Sequence, residues 1–377
     1  MKVAIVGAGP AGAAAGHHLA RAGHDVVMLD RSEFPRPKTC GDWITRGALG
    51  ELEHLALPRV SLAQAAEQHA EIRGSVVGAP NGQHSRVSLG GGVDRGACVP
   101  RDVFDALLVR RAIAAGCRLE RETIRDPATL LGDHDLVVDA RGVYAGQANT
   151  VAIRRYWRVP ANRVDEQTRS TVQLFTVGRF RMGYGWIFPV DVTRERVLFN
   201  LGVGIWRQEH DERGLKIREE LERFVHDNPV AARLARIATE VGRTRGHHLA
   251  LADGRVEVAY GGVLRAGDVA NLTDPITGEG IANAVLSGRL IAQAIDGARD
   301  PAQAQRRWQR AYEERMLPEL LAAIRLRRAL VGTRRKNLAM WLLRRSKRLA
   351  ERFHGSLEGV VSYREVLPGL GWSPRRR

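Results

Sequence analysis

Short apolar runs alternate with longer stretches of helical spacing along the first third of the chain. Residues 2–7 hold the run Val3-Ala4-Ile5-Val6 and read as a short buried strand. Residues 10–22 are rich in alanine and read as a helix whose small side chains allow close packing. A second strand from Val26 to Leu29 ends at Asp30, which closes a β-α-β unit of about 30 residues. Val103, Phe104, Leu107, Leu108 and Ala112 recur at helical spacing and predict a helix over 102–115. Residues 135–138 read as a buried strand running into Asp139, and 171–177 and 196–204 carry the β-branched and aromatic residues of strands. Helical patterns follow over 212–240, over 281–297, and from 302 onward with breaks near Pro318 and Gly332. No internal repeat or low-complexity linker interrupts this order.

The three glycines of Val6-Gly7-Ala8-Gly9-Pro10-Ala11-Gly12 sit where the first strand turns into the first helix. Gly7 suits a tight turn, Gly9 a close approach of backbone to a pyrophosphate, and Gly12 tight packing of helix on strand. The helix start then presents free N–H groups and the positive end of its dipole to phosphates. Asp30, 18 residues after Gly12, is placed to accept hydrogen bonds from ribose hydroxyls. A second segment separates the flavin dinucleotide from NAD. Gly267-Asp268 follows an apolar strand-like run and suits the ribityl hydroxyls. Pro275-Ile276-Thr277-Gly278-Glu279-Gly280 then opens a helix at Ile281, whose N-terminus suits the negative edge of a reduced flavin. The expected cofactor is FAD, held by Gly7, Gly9, Gly12, Asp30, Gly267, Asp268, Pro275, Gly278, Gly280 and Ile281.

Other blocks carry a resemblance. Phe34-Pro35-Arg36-Pro37-Lys38-Thr39-Cys40-Gly41-Asp42, Pro100-Arg101 with Phe104-Asp105, Ala152 to Tyr156, and Tyr184-Gly185-Trp186-Ile187-Phe188-Pro189 followed by Gly202-Val203-Gly204 resemble the geranylgeranyl reductase family. That family stands within the wider group of flavin aromatic hydroxylases and flavin halogenases. The resemblance covers about residues 1–300. It implies an α/β fold with a Rossmann-like FAD-binding domain of the glutathione-reductase type, an inserted β-sheet substrate domain and C-terminal helices. The expected FAD domain comprises 1–60, 96–145 and 250–300. The substrate domain comprises 61–95 and 146–249, and 301–377 forms a basic helical region. The resemblance adds Arg31, Cys40, Gly41 and Arg101 to the cofactor contacts. It puts Cys40, Asp42 and Tyr184 forward as catalytic candidates, and Trp43, Trp186, Phe188 and Pro189 as the substrate pocket. Trp43 stands where the family has a small residue, Asp139-Ala140-Arg141-Gly142 alters the usual Asp-Gly motif, and the spacing from Pro189 to Gly202 is long.

The expected reaction is reduction of a carbon–carbon double bond in a hydrophobic, isoprenoid-type substrate. An isolated alkene is a poor hydride acceptor, so such a site also needs a proton donor. Oxygenation of a specialised metabolite by the same flavin is the alternative. Halogenation is disfavoured, because no lysine occurs between Lys38 and Lys216 and Lys38 alone would have to serve. No second nucleotide fold appears, so NAD(P)H docking transiently, another reductant or an electron-donor protein would reduce the flavin. His17, His18, His247 and His248 read as structural or exposed residues; no metal site is expected.

Charge adds a further partner question. The chain carries +16, and residues 325–352 hold 11 Lys and Arg against Glu351 alone, so this segment supplies +10 of it. The tail adds Arg375, Arg376 and Arg377. Drawn as one helix, Leu338, Trp341, Leu342, Leu349 and Phe353 share a face, with Arg344, Lys347, Arg348 and Arg352 largely off it. Such a helix over 325–353 either docks on the rest of the protein, the favoured reading, or lies on an anionic membrane surface. No nucleic-acid partner is expected. No apolar run approaches the ~18 residues of a membrane span. Glycines interrupt the N-terminal apolar stretch, so it does not read as a signal peptide. The three cysteines, Cys40, Cys98 and Cys117, lack metal-ligand spacing and are odd in number, so a reducing cytoplasm is expected.

Overall fold

The computed structural model describes residues 1–377 other than 59–61, 63–65, 67, 90–94, 145–147 and 371–377, so the basic tail at 375–377 lies outside the described residues. Six strands make the first sheet, in the order β15 (Ala259–Tyr260), β16 (Val263–Arg265), β9 (Leu136–Asp139), β1 (Lys2–Val6), β2 (Asp25–Asp30) and β8 (Arg118–Arg121). All neighbours are parallel except β15 with β16. Strands buried on both faces need continuous apolar runs, and Val3 to Val6 and Leu136 to Val138 supply them. The register pairs Val6 with both Leu29 and Asp139, and Arg265 with Asp139. The carboxyl ends of the central strands therefore meet along one edge, where ligands of open α/β sheets bind. Helices α1 (Pro10–Arg21), α2 (Arg101–Ala114) and α3 (Ile281–Asp296) cover this sheet.

The second sheet has seven strands, ordered β14 (Thr239–Leu249), β10 (Thr150–Pro160), β13 (Arg196–Trp206), β12 (Gly183–Val192), β11 (Thr171–Thr176), β5 (Gly74–Gly78) and β6 (His84–Ser88). Alternation along β12 sends Trp186, Phe188 and Val190 to one face and Ile187 to the other. The Ile187 face is covered by two short helices, Ile217–Asp227 and Pro229–Ala235. The helix expected over 212–240 is thus two helices and a strand. Asn228 breaks it by accepting from Val230 and Ala231 N–H, and β14 begins at Thr239. A small sheet of β3 (Trp43–Ile44), β7 (Gly96–Cys98) and β4 (Ala70–Ile72) lies beside the large one.

The helices α4 (Pro301–Arg315), α5 (Leu317–Ala329), α6 (Thr333–Arg345) and α7 (Lys347–Leu357) follow α3. Ala322, Leu326, Met340, Leu343 and Phe353 pack against the Trp186 face of the large sheet. The single amphipathic helix drawn over 325–353 is corrected here. Ser346 ends α6 and caps α7, its Oγ accepting from Leu349 N–H at 3.2 Å. Leu349 and Phe353 are buried by docking, whereas Leu338 and Trp341 are 58% and 42% exposed on the outer side of α6. A buried polar latch holds α7: His354 bonds Ser75 Oγ at 2.7 Å through Nδ1 and Ser85 Oγ at 3.1 Å through Nε2.

Candidate functional site

A cavity of about 600 Å³ runs from the carboxyl edge of the first sheet to the aromatic face of the second. Its near end is built by the first β-α-β unit. Gly7 has φ +101, and a Cβ there would lie 2.4 Å from Ala140 O. A Cβ on Gly12 would lie 1.9 Å from Gly7 O, so only glycine lets α1 rise directly from β1. Gly12 therefore packs behind the cavity, while Gly7, Gly9, Asp30 and Arg31 line it. Asp30 is fixed by accepting from Ala8 N–H and Ser32 N–H, both at 2.9 Å.

The middle of the cavity is walled by the second motif. Gly267, Asp268, Pro275, Gly278, Glu279, Gly280 and Ile281 all line it. Asp274 shapes this loop by accepting from Ile276 N–H at 2.8 Å and Thr277 N–H at 2.7 Å. Lys38 lies 4.0 Å from Asp268. Glu279 enters the sequence reading only as a motif member, yet it lines the cavity, and its carboxyl, which accepts from Ala282 N–H at 2.9 Å, is pushed up to about 7 by burial, with Asp274 and Asp268 nearby adding to the effect. His247 also faces the cavity, contrary to its reading as structural or exposed; burial first, then Lys38, lowers it to about 4, so it is neutral near pH 7. Sheet alternation along β14 puts His247 inside and His248 outside.

The far end carries Cys40, Gly41, Trp43, Tyr184, Trp186 and Phe188 on its walls. Tyr184 donates its hydroxyl to Thr277 O and so ties the large sheet to the flavin loop; burial raises its pKa. The Trp43 ring packs at a tilt 5.6 Å from Phe188, and Trp186 lies 6.0 Å from Tyr184. Arg101, 5% exposed, holds Asp105 in a two-bond fork at 2.7 and 2.9 Å and also reaches Cys40. Burial opposes its charge, but Asp105 and Cys40 outweigh that and raise its pKa. Pro189 does not line the cavity, and it marks a register shift in β12.

Asp42 also lies off the cavity, fully buried behind the Cys40–Gly41 turn with φ +66. Its Oδ2 accepts from Tyr156 hydroxyl and from Asn200 Nδ2, the latter at 2.8 Å. Asn200 Nδ2 also donates to Cys40 O at 2.6 Å, and Asn200 Oδ1 accepts from Trp186 Nε1 at 3.0 Å. Burial pushes the Asp42 carboxyl up to about 6, against the lowering effect of the Tyr156 and Asn200 hydrogen bonds. The sequence reading missed Asn200 and Arg154. Arg154, 6% exposed, lines the cavity and stacks 3.9 Å from the Tyr156 ring. The signal for Asn200 was a lone amide in an otherwise apolar β13 run, Val197 to Val203.

The cavity fits FAD in shape and chemistry: phosphate-seeking N–H groups at one end, a carboxylate for ribose, and an aromatic wall at the other. Among the described residues, no cluster of three His, Cys, Asp or Glu side chains could hold a metal.

Comparisons with known proteins agree. The FAD binding domain family matches residues 1–154. Digeranylgeranylglycerophospholipid reductase 1 of Methanopyrus kandleri is 30% identical over 346 residues, spanning 83% of this chain and 86% of that one. Menaquinone reductase of Mycolicibacterium smegmatis is 29% identical, spanning 78% of this chain and 76% of its own. The fold matches a geranylgeranyl bacteriochlorophyll reductase-like protein of Thermoplasma acidophilum with a TM-score of 0.71 at 19% identity, over 98% of this chain and 94% of that one. It matches a flavin-dependent brominase equally well, with a TM-score of 0.72 at 19% identity, over 99% and 95%. With its FAD motifs, its cavity and these relatives, the chain belongs to the geranylgeranyl reductase family of FAD-dependent oxidoreductases.

Proposed function

We propose that this flavoprotein reduces a carbon–carbon double bond in a hydrophobic, isoprenoid-type substrate, drawing electrons from NAD(P)H or a donor protein. The observation that carries the reading is the far wall of the cavity, where Trp43, Trp186 and Phe188 make an aromatic surface around the one thiol that faces it, Cys40. The names of the relatives, reductases of a digeranylgeranyl lipid and of menaquinone, support an isoprenoid-bearing substrate.

Bound and reduced, FAD supplies the hydride. The second alkene carbon then needs a proton. Cys40 gives it, and the thiolate left behind is stabilised by the Arg101 guanidinium beside it until solvent returns a proton. Tyr184, whose hydroxyl is committed to Thr277 O, holds the two lobes in register. Asp42 holds the Cys40 turn from behind. The decisive experiment is an anaerobic single turnover of the photoreduced protein with a geranylgeranyl lipid. A product heavier by two hydrogens per reduced bond is expected. No anaerobic change, with oxygen entering the product once air is admitted, would overturn the reading in favour of a monooxygenase.

We extend the proposal to contact with an anionic membrane surface through the outer side of α6. No helix among the described residues is long and apolar enough to cross a membrane. Exposed Leu338 and Trp341 stand among exposed Arg334, Arg335, Arg344, Arg345 and Arg348, the pattern of an interfacial helix. Co-sedimentation with phosphatidylglycerol vesicles, lost in Leu338→Glu/Trp341→Glu, is the expected result. Equal sedimentation of wild type and variant would remove this contact.

A further inference from the structure

A second cavity of about 120 Å³ lies between the large sheet and helices α5 to α7. Its walls are apolar, with Val77, Leu174, Met340, Leu343, Phe353 and Leu357 among them. Two cations break that pattern. Arg327 and Lys336 both line the space, at 9% and 7% exposure. Arg327 stacks 4.1 Å from the Trp206 ring, and its Nη1 donates to Ala252 O at 3.2 Å. Among the described residues, that is its one hydrogen bond. Among the described residues, Lys336 Nζ donates once, to Phe180 O at 2.8 Å, out of a capacity of three.

Neither cation forms an ion pair with a described residue. Two of the other buried arginines do, Arg101 forking onto Asp105 and Arg289 onto Glu51 at 2.9 Å through both nitrogens, while Arg154 lies against the Tyr156 ring on the flavin cavity. The acids nearest in field to the pair are occupied or exposed. Glu209 accepts from Arg181 and Met182 N–H and from Arg213, Asp274 accepts from its own loop, and Asp253 faces solvent. Burial costs both cations: Arg327 is lowered to about 10 and Lys336 to about 8, so both remain largely charged at neutral pH. A charge held in an apolar cavity without a counterion is strongly unfavourable, and an anion entering there is attracted in a low dielectric.

The two side chains suit a phosphoryl group, which takes a guanidinium fork and a point-charge ammonium together. Liquid water claims about 30 Å³ per molecule, so this space holds one such group with the first carbons of a chain. Tyr184, Ile276 and Thr277 form the wall that it shares with the flavin cavity.

We propose that Arg327 and Lys336 form a recognition site for the phosphoryl head of the substrate, whose apolar chain extends toward the Tyr184–Ile276 wall shared with the flavin cavity. This rests on the double-bond reductase reading and narrows it, because a neutral quinone would leave both cations unsatisfied.

The test is equilibrium binding to the full-length, FAD-loaded protein of three probes: geranylgeranyl monophosphate, geranylgeraniol and inorganic phosphate. The monophosphate is expected to bind about 10- to 100-fold more tightly than the alcohol, the scale of one or two hydrogen bonds to charged groups. Arg327→Gln/Lys336→Gln is expected to lose that advantage at wild-type flavin content, whereas Lys336→Arg keeps it. Inorganic phosphate should compete with the monophosphate only weakly. If it binds as tightly as the monophosphate, the site serves free phosphate and the head-group assignment falls. Equal binding of monophosphate and alcohol by the wild type also overturns the assignment. Single turnover separates the two claims. Equal binding with double-bond reduction sinks the head-group site alone, and preferential binding of the monophosphate without reduction sinks the reductase reading alone.

Discussion

A Gly9→Val protein is expected to be isolated without flavin and to melt with the midpoint of the wild type stripped of its flavin. Gly9 has φ −69, an ordinary value for any residue, and it stands just before α1. A Cβ there would meet only the mobile end of Arg36, 3.6 Å away, and no backbone. The protein alone therefore gives a Cβ room. What valine fills is the cavity edge in front of the helix start, where the pyrophosphate must come within hydrogen-bond reach of the backbone N–H groups. Losing that approach should weaken FAD binding by about 100-fold or more, roughly 3 kcal/mol. Gly12→Val is the contrasting variant. Its Cβ would sit 1.9 Å from Gly7 O, so β1 and α1 cannot keep their junction, and both flavin and stability are lost. Absorbance at 450 nm against protein, with a melting curve for each variant, separates the two. A flavin-replete Gly9→Val protein would show that this turn is not the pyrophosphate cradle.

That contrast also explains which parts of the site were legible in the sequence. Gly7, Gly9 and Gly12 act within six residues of one another through backbone geometry, and Gly267-Asp268 with Pro275 to Ile281 does the same, so local spacing carries their meaning. Asn200 has no such local signature. Its partners are Trp186 on the neighbouring strand and Cys40 and Asp42, 160 and 158 residues away in sequence, and Tyr156, its neighbour across the β10–β13 register, shares Asp42 with it. Only the register of the large sheet brings them together, and register is not set by composition. The C-terminal helices failed for a different reason. The periodicity over 338–353 was real, but Ser346 offers the chain a cap, and the turn it makes sends Leu349 and Phe353 inward while leaving Leu338 and Trp341 outside. His247 was misread because two adjacent histidines in a strand face opposite sides, and periodicity alone does not say which side is the cavity.

Asn200→Leu is expected to cost about 3–5 kcal/mol of stability and to slow turnover about 10- to 100-fold while FAD stays bound. The side chain makes three buried hydrogen bonds at once, to Asp42, Cys40 O and Trp186 Nε1. Leucine fills a similar volume but leaves Trp186 Nε1 and Cys40 O without that partner and Asp42 Oδ2 with only Tyr156. The Cys40 turn and the aromatic wall then lose their common anchor, and a displacement of an ångström at the proton donor is enough to account for the lost rate. A general packing defect would also lower rate and stability, so the diagnostic is pH. Asp42 has a folded-state pKa of about 6, raised from 3.8. The folded protein thus binds the extra proton between those values, and the stability this group contributes is present below about 3.8 and is lost as pH rises through 6. Asn200 donates to the charged form and so holds the pKa down; removing it moves the ionisation upward. Urea unfolding of the flavin-loaded proteins at pH 5 to 8 should show the variant still losing stability above pH 6, where the wild-type contribution from Asp42 has levelled off. Glu279 and Glu358, pushed up to about 7, titrate in both proteins and cancel in the comparison. Parallel pH curves for wild type and Asn200→Leu would mean that Asn200 supports the wall by packing alone, and that Asp42 takes its pKa from burial without the amide's help.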